Sequence, residues 1–248
     1  MHATVTVVSS NDALAEEAAQ AVAGAAEEAV SRTGRFTLAL SGGSTPRRLY
    51  ARLASPPFRS RIDWARLDVF WGDERCVPPD HPDSSYRLAD ESLLSRVPIP
   101  PEQIHRMRGE DSDPERAALD YSQELVRIFS LKAGEHPRFD LILLGLGADG
   151  HTASLFPDSP ALNENRRLAV ATYAEPVKAY RLTLTLPVLN AAARVIFLVS
   201  GGEKAEVLRA VLKDGPSPSR PASFVRPERG NLWLVDRAAA VRLGNTSG

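Results

Sequence analysis

Short apolar runs alternate with amphipathic stretches along the chain, and these runs predict strands. An apolar run of about four to eight residues between turn signals is typical of a buried strand. The predicted strands lie at Thr4–Val8, Phe36–Leu40, Leu67–Trp71, 139–144, 181–186, 195–200 and 232–235. The stretch 181–186 alternates strictly between leucine and polar residues, which predicts a strand with one face in solvent.

Apolar positions three or four residues apart predict helices between these strands. The predicted helices lie at 12–31, 46–53, 84–94, 113–129 and 203–212. Asp12 is expected to cap the first, alanine-rich helix and Gly34 to end it. Pro46 suits the first helical position, where its missing N–H is not needed. No repeat or linker divides the sequence, so we predict a single α/β domain over residues 1–248.

Four of the predicted strands end in polar or glycine-rich turns, at residues 41–46, 72–75, 145–151 and 200–203. Strands that alternate with crossover helices lie parallel, so their carboxyl ends meet at one edge of the sheet. Open parallel sheets bind their ligands at that edge. We therefore expect these four turns to form one site.

Composition and charge narrow the class of partner. The chain has 248 residues, with 30 Lys+Arg against 31 Asp+Glu and a formal net charge of −1. This balance favours neither nucleic acid nor a membrane surface as a partner. We separately expect a small-molecule substrate and a monomer or small homo-oligomer. The N-terminus lacks a signal segment and no apolar run is long enough to span a membrane, which predicts a cytoplasmic protein.

Cysteine and histidine usage predicts no required metal. Cys76 is the single cysteine, so neither a disulfide framework nor a cysteine-based zinc cluster can form within the chain. The five histidines are scattered, and no two have the spacing of metal ligands.

Two of the turns combine glycines with a predicted helix start, an arrangement that binds anions through free N–H groups and the helix dipole. The first consists of Ser41, Gly42, Gly43, Ser44 and Thr45. In the second, Lys204 follows two glycines; a cation at a helix start is unfavourable unless an anion binds there. A glycine turn with a Ser/Thr cap and a solvated lysine are the alternatives, and these residues alone leave both open.

Residues 145–150 match the Gly-x-Gly-x-x-Gly fingerprint of dinucleotide sites, but their context differs. A genuine fingerprint opens a long helix and is followed by an acidic residue about 20 positions later. Here Pro157 and Pro160 end any helix, and residues 169–171 are alanine and valine. We therefore predict no nicotinamide cofactor.

Asp149 and His151 follow a predicted strand in this same turn and can face one pocket. A histidine with a pKa of about 6.5 can accept a proton at neutral pH. General base catalysis of this kind accelerates a reaction roughly 10²–10⁴-fold. A nearby carboxylate orients the ring and stabilises the imidazolium. The alternative is a solvated loop histidine.

Other charged residues stand beside predicted strand ends. Asp73, Glu74 and Arg75 follow one strand and are either site residues or an exposed charge cluster. Arg181 lies on the strand predicted to be half exposed, where a surface cation is the simpler interpretation.

Taken together, the motifs resemble 6-phosphogluconolactonase over nearly the whole chain. The residues that carry the resemblance are 40–46 (LSGGSTP), 71–75 (WGDER), 83–87 (DSSYR), 145–157 (GLGADGHTASLFP), 181–185 (RLTLT) and 200–204 (SGGEK). The family usually has Ser-Asn-Tyr where this chain has Ser84-Ser85-Tyr86. A serine hydroxyl has one donor where an amide has two, so any contact from that position is in doubt.

The resemblance implies a modified Rossmann-like fold, with a mostly parallel sheet and helices on both faces, and no metal or cofactor. It also implies hydrolysis of 6-phospho-D-glucono-1,5-lactone to 6-phosphogluconate, the second step of the oxidative pentose phosphate pathway. We expect the phosphate to bind at residues 41–45, with Lys204 and Arg181 supplying charge. His151 would be the general base, oriented by Asp149, and Arg75 or backbone N–H groups would stabilise the oxyanion.

Two other functions compete with this hypothesis. Glucosamine-6-phosphate isomerase/deaminase belongs to the same superfamily, and Asp73 is placed to be the base that such a reaction needs. The second competing function is that of a non-catalytic sugar-phosphate sensor. The retention of both Asp149 and His151 argues against it.

Overall fold

The computed structural model describes residues 3–228 and 230–244, and within them nine strands form two sheets. In chain order the strands are β1 (Thr4–Val8), β2 (Phe36–Leu40), β3 (Leu67–Trp71), β4 (Asp73–Arg75), β5 (Leu141–Gly145), β6 (Ala169–Ala174), β7 (Ala179–Leu184), β8 (Val195–Val199) and β9 (Asn231–Asp236). The large sheet has the order β1-β9-β8-β5-β2-β3 and the small sheet the order β4-β7-β6.

All neighbouring strands of the large sheet are parallel, which confirms the predicted fold class. The strand order reverses next to β2, because β3 lies on one side of it and β5 on the other. Such a reversal opens a crevice at the carboxyl ends of the strands. The four polar turns meet at this edge.

The burial of each strand follows its place in the sheet. Every residue of β2 and β8 is buried, as expected for continuous apolar runs covered on both faces. The edge strand β1 has no fully buried residue. Phe197 of β8 and Trp233 of β9 stack with ring centroids 3.8 Å apart, which ties the two strands together in the core.

Helices connect the strands and pack against them. In chain order they are α1 (Asn11–Thr33), α2 (Ser44–Leu53), α3 (Phe58–Arg61), α4 (Ser85–Ser92), α5 (Pro114–Phe129), α6 (Leu186–Ala191), α7 (Ala205–Lys213) and α8 (Arg237–Ala240). Within the described part of the chain, none of them is long and apolar enough to cross a membrane.

Several helix starts differ from the sequence prediction; α7, for example, begins at Ala205 and not at residue 203, because a 3-10 turn occupies Gly202–Lys204. Ser10, not Asp12, caps α1, since its Oγ accepts the N–H of Ala13 at 3.2 Å. Gly34 ends this helix with φ +79°, as predicted. α2 begins at Ser44, two residues before the predicted start, because Gly43 with φ +108° turns the chain into the helix earlier.

The small antiparallel sheet was not predicted, and its central strand β7 is not half exposed. Thr183 and Thr185, which the alternating pattern placed in solvent, are 0% exposed. Their hydroxyls donate to the carbonyls of Leu184 at 3.0 Å and Arg167 at 2.9 Å. Hydrogen bonding to the backbone therefore allows burial of polar positions that resembled a solvent face.

Gly72 joins the two sheets between β3 and β4. Its N–H donates to Leu40 of β2 at 2.8 Å, and its carbonyl accepts the N–H of Leu184 in β7, also at 2.8 Å. The small sheet is thereby held against the carboxyl edge of the large sheet.

Candidate active site

A cavity of about 430 Å³ opens at this edge, and all four predicted turns contribute to its wall. Ten of the predicted site residues line it: Ser41, Gly42, Gly43, Ser44, Thr45, Asp73, Arg75, His151, Arg181 and Lys204. Asp149 does not line this cavity. It lies behind His151, on the side of a second groove.

His151 and Asp149 form a hydrogen-bonded pair in the turn after β5. The distance from His151 Nδ1 to Asp149 Oδ1 is 2.5 Å, and the His151 backbone N–H donates to the same oxygen at 3.1 Å. Phe156 supports the ring from the side, with centroids 4.6 Å apart. Because Nδ1 is hydrogen-bonded to the Asp149 carboxylate, Nε2 is the nitrogen left to exchange a proton with a ligand.

The charge of Asp149 suits an orienting role. Partial burial acts to raise the pKa of Asp149, but the hydrogen bond and charge of His151 outweigh it and hold that pKa below its usual value. The Asp149 carboxylate is therefore ionised at neutral pH.

Gly147 explains why this turn needs glycine. Its N–H donates to the carbonyl of His151 at 2.8 Å and its carbonyl accepts the N–H of Gly150 at 3.0 Å, which closes a tight turn. A Cβ on Gly147 would lie 2.1 Å from His151 Nδ1 and 2.6 Å from Asp149 Oδ1. Gly147 is part of the match to the dinucleotide fingerprint, but its role here is to make room for the His–Asp pair.

The start of α2 forms another wall. The N–H of Ser41 is occupied, since it donates to Tyr50 Oη at 3.0 Å, and that hydroxyl donates back to the Ser41 carbonyl at 2.7 Å. The Oγ of Ser41 is buried without a partner. Ser44 and Thr45 are the first residues of the helix, where backbone N–H groups have no intrahelical acceptor. They are the better candidates to hold an anion.

Three cations line the cavity without an ion-pair partner among the described residues: Arg75, Arg181 and Lys204. Arg75 donates to the backbone carbonyl of Asp83. Burial and the charge of Arg75 lower the pKa of Arg181, but a guanidinium is so strong a base that Arg181 stays charged at neutral pH. The cavity wall carries excess positive charge that an anionic ligand would neutralise.

Only two of the three charged residues after β3 face this cavity. Asp73 accepts the Ser154 hydroxyl at 2.7 Å and lines the wall together with Arg75. Glu74 is 3% exposed and points away, towards the start of α4. It accepts the N–H groups of Ser85 and Tyr86, each at 2.7 Å.

Glu74 is therefore a helix cap and not a site residue. Burial raises its pKa above the usual value even though these backbone hydrogen bonds act to lower it.

Ser85, the position where the family usually has asparagine, lies behind the wall. It is 0% exposed and its Oγ has no hydrogen-bond partner. A Cβ on Gly42 would lie 2.4 Å from that oxygen. Ser85 thus supports Gly42 and does not line the cavity.

Among the described residues, neither a thiol nor a metal-binding cluster competes with this site. Burial raises the pKa of the Cys76 thiol to about 11, and Cys76 does not line the cavity. Residues 3–228 and 230–244 contain no group of three or more His, Cys, Asp or Glu side chains placed to hold a metal. His2 lies outside the described residues.

Sequence reasoning did not single out Ser154, Tyr50 or Phe156. Ser154 positions Asp73, Tyr50 fixes the backbone of Ser41, and Phe156 supports the His151 ring. Ser154 and Phe156 lie within five residues of His151, so proximity was a usable signal for them. The sequence gives no such signal for Tyr50, because its contact with Ser41 depends on how α2 packs in the folded protein.

A family model described as "Glucosamine-6-phosphate isomerases/6-phosphogluconolactonase" matches residues 9–234 of this chain. The chain belongs to this family. A member from Synechocystis sp., 6-phosphogluconolactonase, is 43% identical over 240 residues, which cover 96% of this chain and 98% of that one.

Solved structures agree with this assignment. The structure of 6-phosphogluconolactonase from Trypanosoma brucei superimposes with a TM-score of 0.87 at 31% identity, covering 98% of this chain and 99% of that one. A monomeric glucosamine-6-phosphate deaminase superimposes with a TM-score of 0.80 at 22% identity, covering 96% and 99%; this likeness shows a shared fold alone.

Proposed function

We propose that this member of the family hydrolyses 6-phospho-D-glucono-1,5-lactone to 6-phospho-D-gluconate, the second step of the oxidative pentose phosphate pathway. One observation carries the proposal: a carboxylate-oriented histidine faces the same cavity as three cations that have no ion-pair partner among the described residues. The lactonases from Synechocystis sp. and Trypanosoma brucei support the choice of substrate.

The phosphate binds at the start of α2. The free N–H groups of Ser44 and Thr45 and the dipole of this ten-residue helix favour an anion. Lys204, from the turn after β8, and Arg181, from β7, add charge-assisted hydrogen bonds. The lactone ring then extends towards His151 across the ends of β2 and β5.

His151 acts as the general base. Nε2 takes a proton from a water molecule as the water oxygen bonds to the C1 carbonyl carbon, and Asp149 stabilises the imidazolium that forms. Arg75 stabilises the negative charge on the carbonyl oxygen. The tetrahedral intermediate collapses by breaking the bond from C1 to the ring oxygen, which receives the proton from His151. The product is the open-chain acid, and no covalent enzyme intermediate forms.

Replacing the base tests this mechanism. His151→Ala should lower kcat about 10²–10⁴-fold and change KM little, since the ring exchanges a proton but does not hold the phosphate. The measurement is a coupled assay with fresh lactone, corrected for spontaneous hydrolysis. His136→Ala, outside the cavity, is the matched control. If His151→Ala kept most of its activity, another residue would be the base; lactone binding by the wild type without turnover would indicate a sensor.

Replacing a cation tests the phosphate site. Lys204→Ala should lower kcat/KM for the phosphorylated lactone about 10- to 100-fold, mainly through KM, because one hydrogen bond to a charged group is lost. The loss should be much smaller with unphosphorylated glucono-1,5-lactone. Lys213→Ala, at the far end of α7, controls for the change in net charge. Equal losses on both lactones would refute the phosphate contact.

The deaminase activity stays the second candidate because Asp73 lines the cavity, where it is placed to act as a base. Its carboxylate already accepts the Ser154 hydroxyl. Ammonia released from glucosamine 6-phosphate, absent in Asp73→Asn, would favour that reaction over lactone hydrolysis.

A further inference from the structure

The outer edge of the small sheet is open. β6 pairs with β7 on one side and is the last strand of the sheet on the other. Backbone groups on such an edge lack strand partners and can pair with an additional chain. This edge is therefore a place to look for a binding surface.

The hydrogen bonds of β6 show which of its groups point outwards. The carbonyl of Leu168 accepts the N–H of Thr185 at 3.1 Å, so Leu168 faces β7. The N–H of Ala169 points the other way and donates to Ser122 Oγ at 3.0 Å. Because antiparallel pairs alternate, Ala171 and Tyr173 also direct their N–H and C=O groups away from β7. Ser122 of α5 thus covers the edge at Ala169, whereas no described residue hydrogen-bonds to the outward backbone groups of Ala171 and Tyr173.

A groove of about 720 Å³ lies beside β6. Val170–Tyr173 of this strand line it, together with residues of the segment from Phe156 to Glu164. Tyr173 is 43% exposed and packs edge-on against Tyr180, with ring centroids 5.2 Å apart. The groove thus offers an extended chain both unpaired backbone groups and an apolar contact.

The charge of the groove is one-sided. Among its described lining residues, the acidic ones are Glu115, Asp149, Asp158, Glu164 and Glu175, and Arg167 is the one basic residue. Arg167 is already shared between Glu164 at 2.6 Å and Glu115 at 3.0 Å. A second copy of this chain that docked through the same groove would bring the same acidic side chains and be repelled. A basic segment would be attracted.

We propose that this groove binds an extended, lysine- or arginine-rich segment of a partner protein, which adds to the small sheet as a fourth strand beside β6. Main-chain hydrogen bonds to Ala171 and Tyr173 supply affinity. The acidic side chains that line the groove, called the acidic rim here, select basic side chains. Asp149 and Phe156 belong to this groove, and Phe156 also lines the catalytic cavity. An occupant would therefore lie directly behind His151.

Peptide binding tests the proposal independently of lactone hydrolysis. The probe is acetyl-Lys-Val-Lys-Val-Lys-Val-amide, titrated at fixed ionic strength while backbone amide signals of the full chain are followed by NMR. Binding should shift the signals of Ala171 and Tyr173. A peptide with alternate N-methylated amides, and one with glutamate in place of lysine, should each bind at least tenfold more weakly.

Variants separate the backbone contribution from the charge. Ala171→Pro removes an outward N–H without touching the ladder to β7, and should weaken binding at least tenfold. If that variant fails to fold, Asp158→Lys combined with Glu175→Lys tests the acidic rim and should weaken binding as strongly. Glu17→Lys, on the exposed side of α1, is the control and should leave the Kd within about twofold.

Three results of the peptide titrations would overturn the proposal. They are no binding of the lysine–valine peptide, equal binding of the N-methylated peptide, and a Kd unaffected by the rim variants. Concentration-dependent dimerisation seen by ultracentrifugation and abolished by the rim variants would assign the edge to a second copy instead.

Discussion

Asp73, Glu74 and Arg75 are consecutive, yet they serve different purposes because successive side chains of a strand point to opposite faces. Asp73 and Arg75 face the cavity, and Glu74 caps α4 from the other face. The sequence showed the charges but not that these residues form a short strand of their own. Without that strand, the alternation could not be used.

At this same scale, Gly147→Ala should separate positioning from binding. The added methyl group would overlap His151 Nδ1 and push the ring away from Asp149. Because a displacement of about 1 Å can cost about 100-fold in rate, we expect kcat to fall about 100-fold with KM changed less than about threefold.

The control for this variant is Gly24→Ala, in α1, where a Cβ meets nothing within 4 Å. Steady-state kinetics on both variants, with circular dichroism to check folding, would measure the difference. An unchanged kcat in Gly147→Ala would mean that the His–Asp pair tolerates displacement.

Among the elements, a short segment after α4 extends the sheet beside β3. Ile104 bridges Val69, and the N–H of His105 donates to the Val69 carbonyl at 2.8 Å. The buried His105 ring contacts Asp68 at 2.9 Å and Glu124 of α5 at 3.1 Å. The His105 ring therefore links β3 to α5, and it does not line the cavity.

This link predicts a pH dependence of stability. Burial acts to lower the pKa of His105, but its hydrogen bonds to the two carboxylates outweigh this and raise that pKa above its usual value. A raised folded-state pKa adds stability that is fully present below the unfolded-state pKa of about 6.5 and is lost as pH rises through the folded-state pKa.

Replacing the ring with a neutral amide tests this dependence. The difference in unfolding free energy between wild type and His105→Gln should be largest below about pH 6.5 and shrink at higher pH. Urea denaturation across this range would measure it, with His136→Gln as the control. A difference that stays constant with pH would show that His105 contributes packing alone.

For the whole molecule, two sheets meet at one cavity, and each supplies part of its charge. Lys204 and the start of α2 follow strands of the large sheet, whereas Arg75 and Arg181 belong to the small one. The parallel strands and the meeting of the four turns could be predicted, because they depend on local apolar runs and on chain connectivity. The small sheet could not, because β4 is three residues long and pairs across more than 100 residues.

Ligand binding should therefore stabilise the whole fold. 6-Phosphogluconate at about 100 times its Kd should add about 2.7 kcal/mol, which is roughly 5–10 °C in Tm for a chain of this size. Differential scanning calorimetry would measure the shift, with gluconate as the unphosphorylated control. Lys204→Ala should show a smaller shift at the same concentration. Equal shifts with gluconate and 6-phosphogluconate would contradict a phosphate-dependent site.

The single residue between β3 and β4 also limits how this chain can change in length. Gly72 hydrogen-bonds to both sheets, and this fixes which face each side chain of β3 and β4 points to. Inserting or deleting one residue here would exchange the faces of β4, turning Glu74 into the cavity and Asp73 and Arg75 out of it. A substitution of Gly72 would change the site gradually. The insertion or deletion of a single residue there would exchange the side chains that face the cavity for those that face away from it.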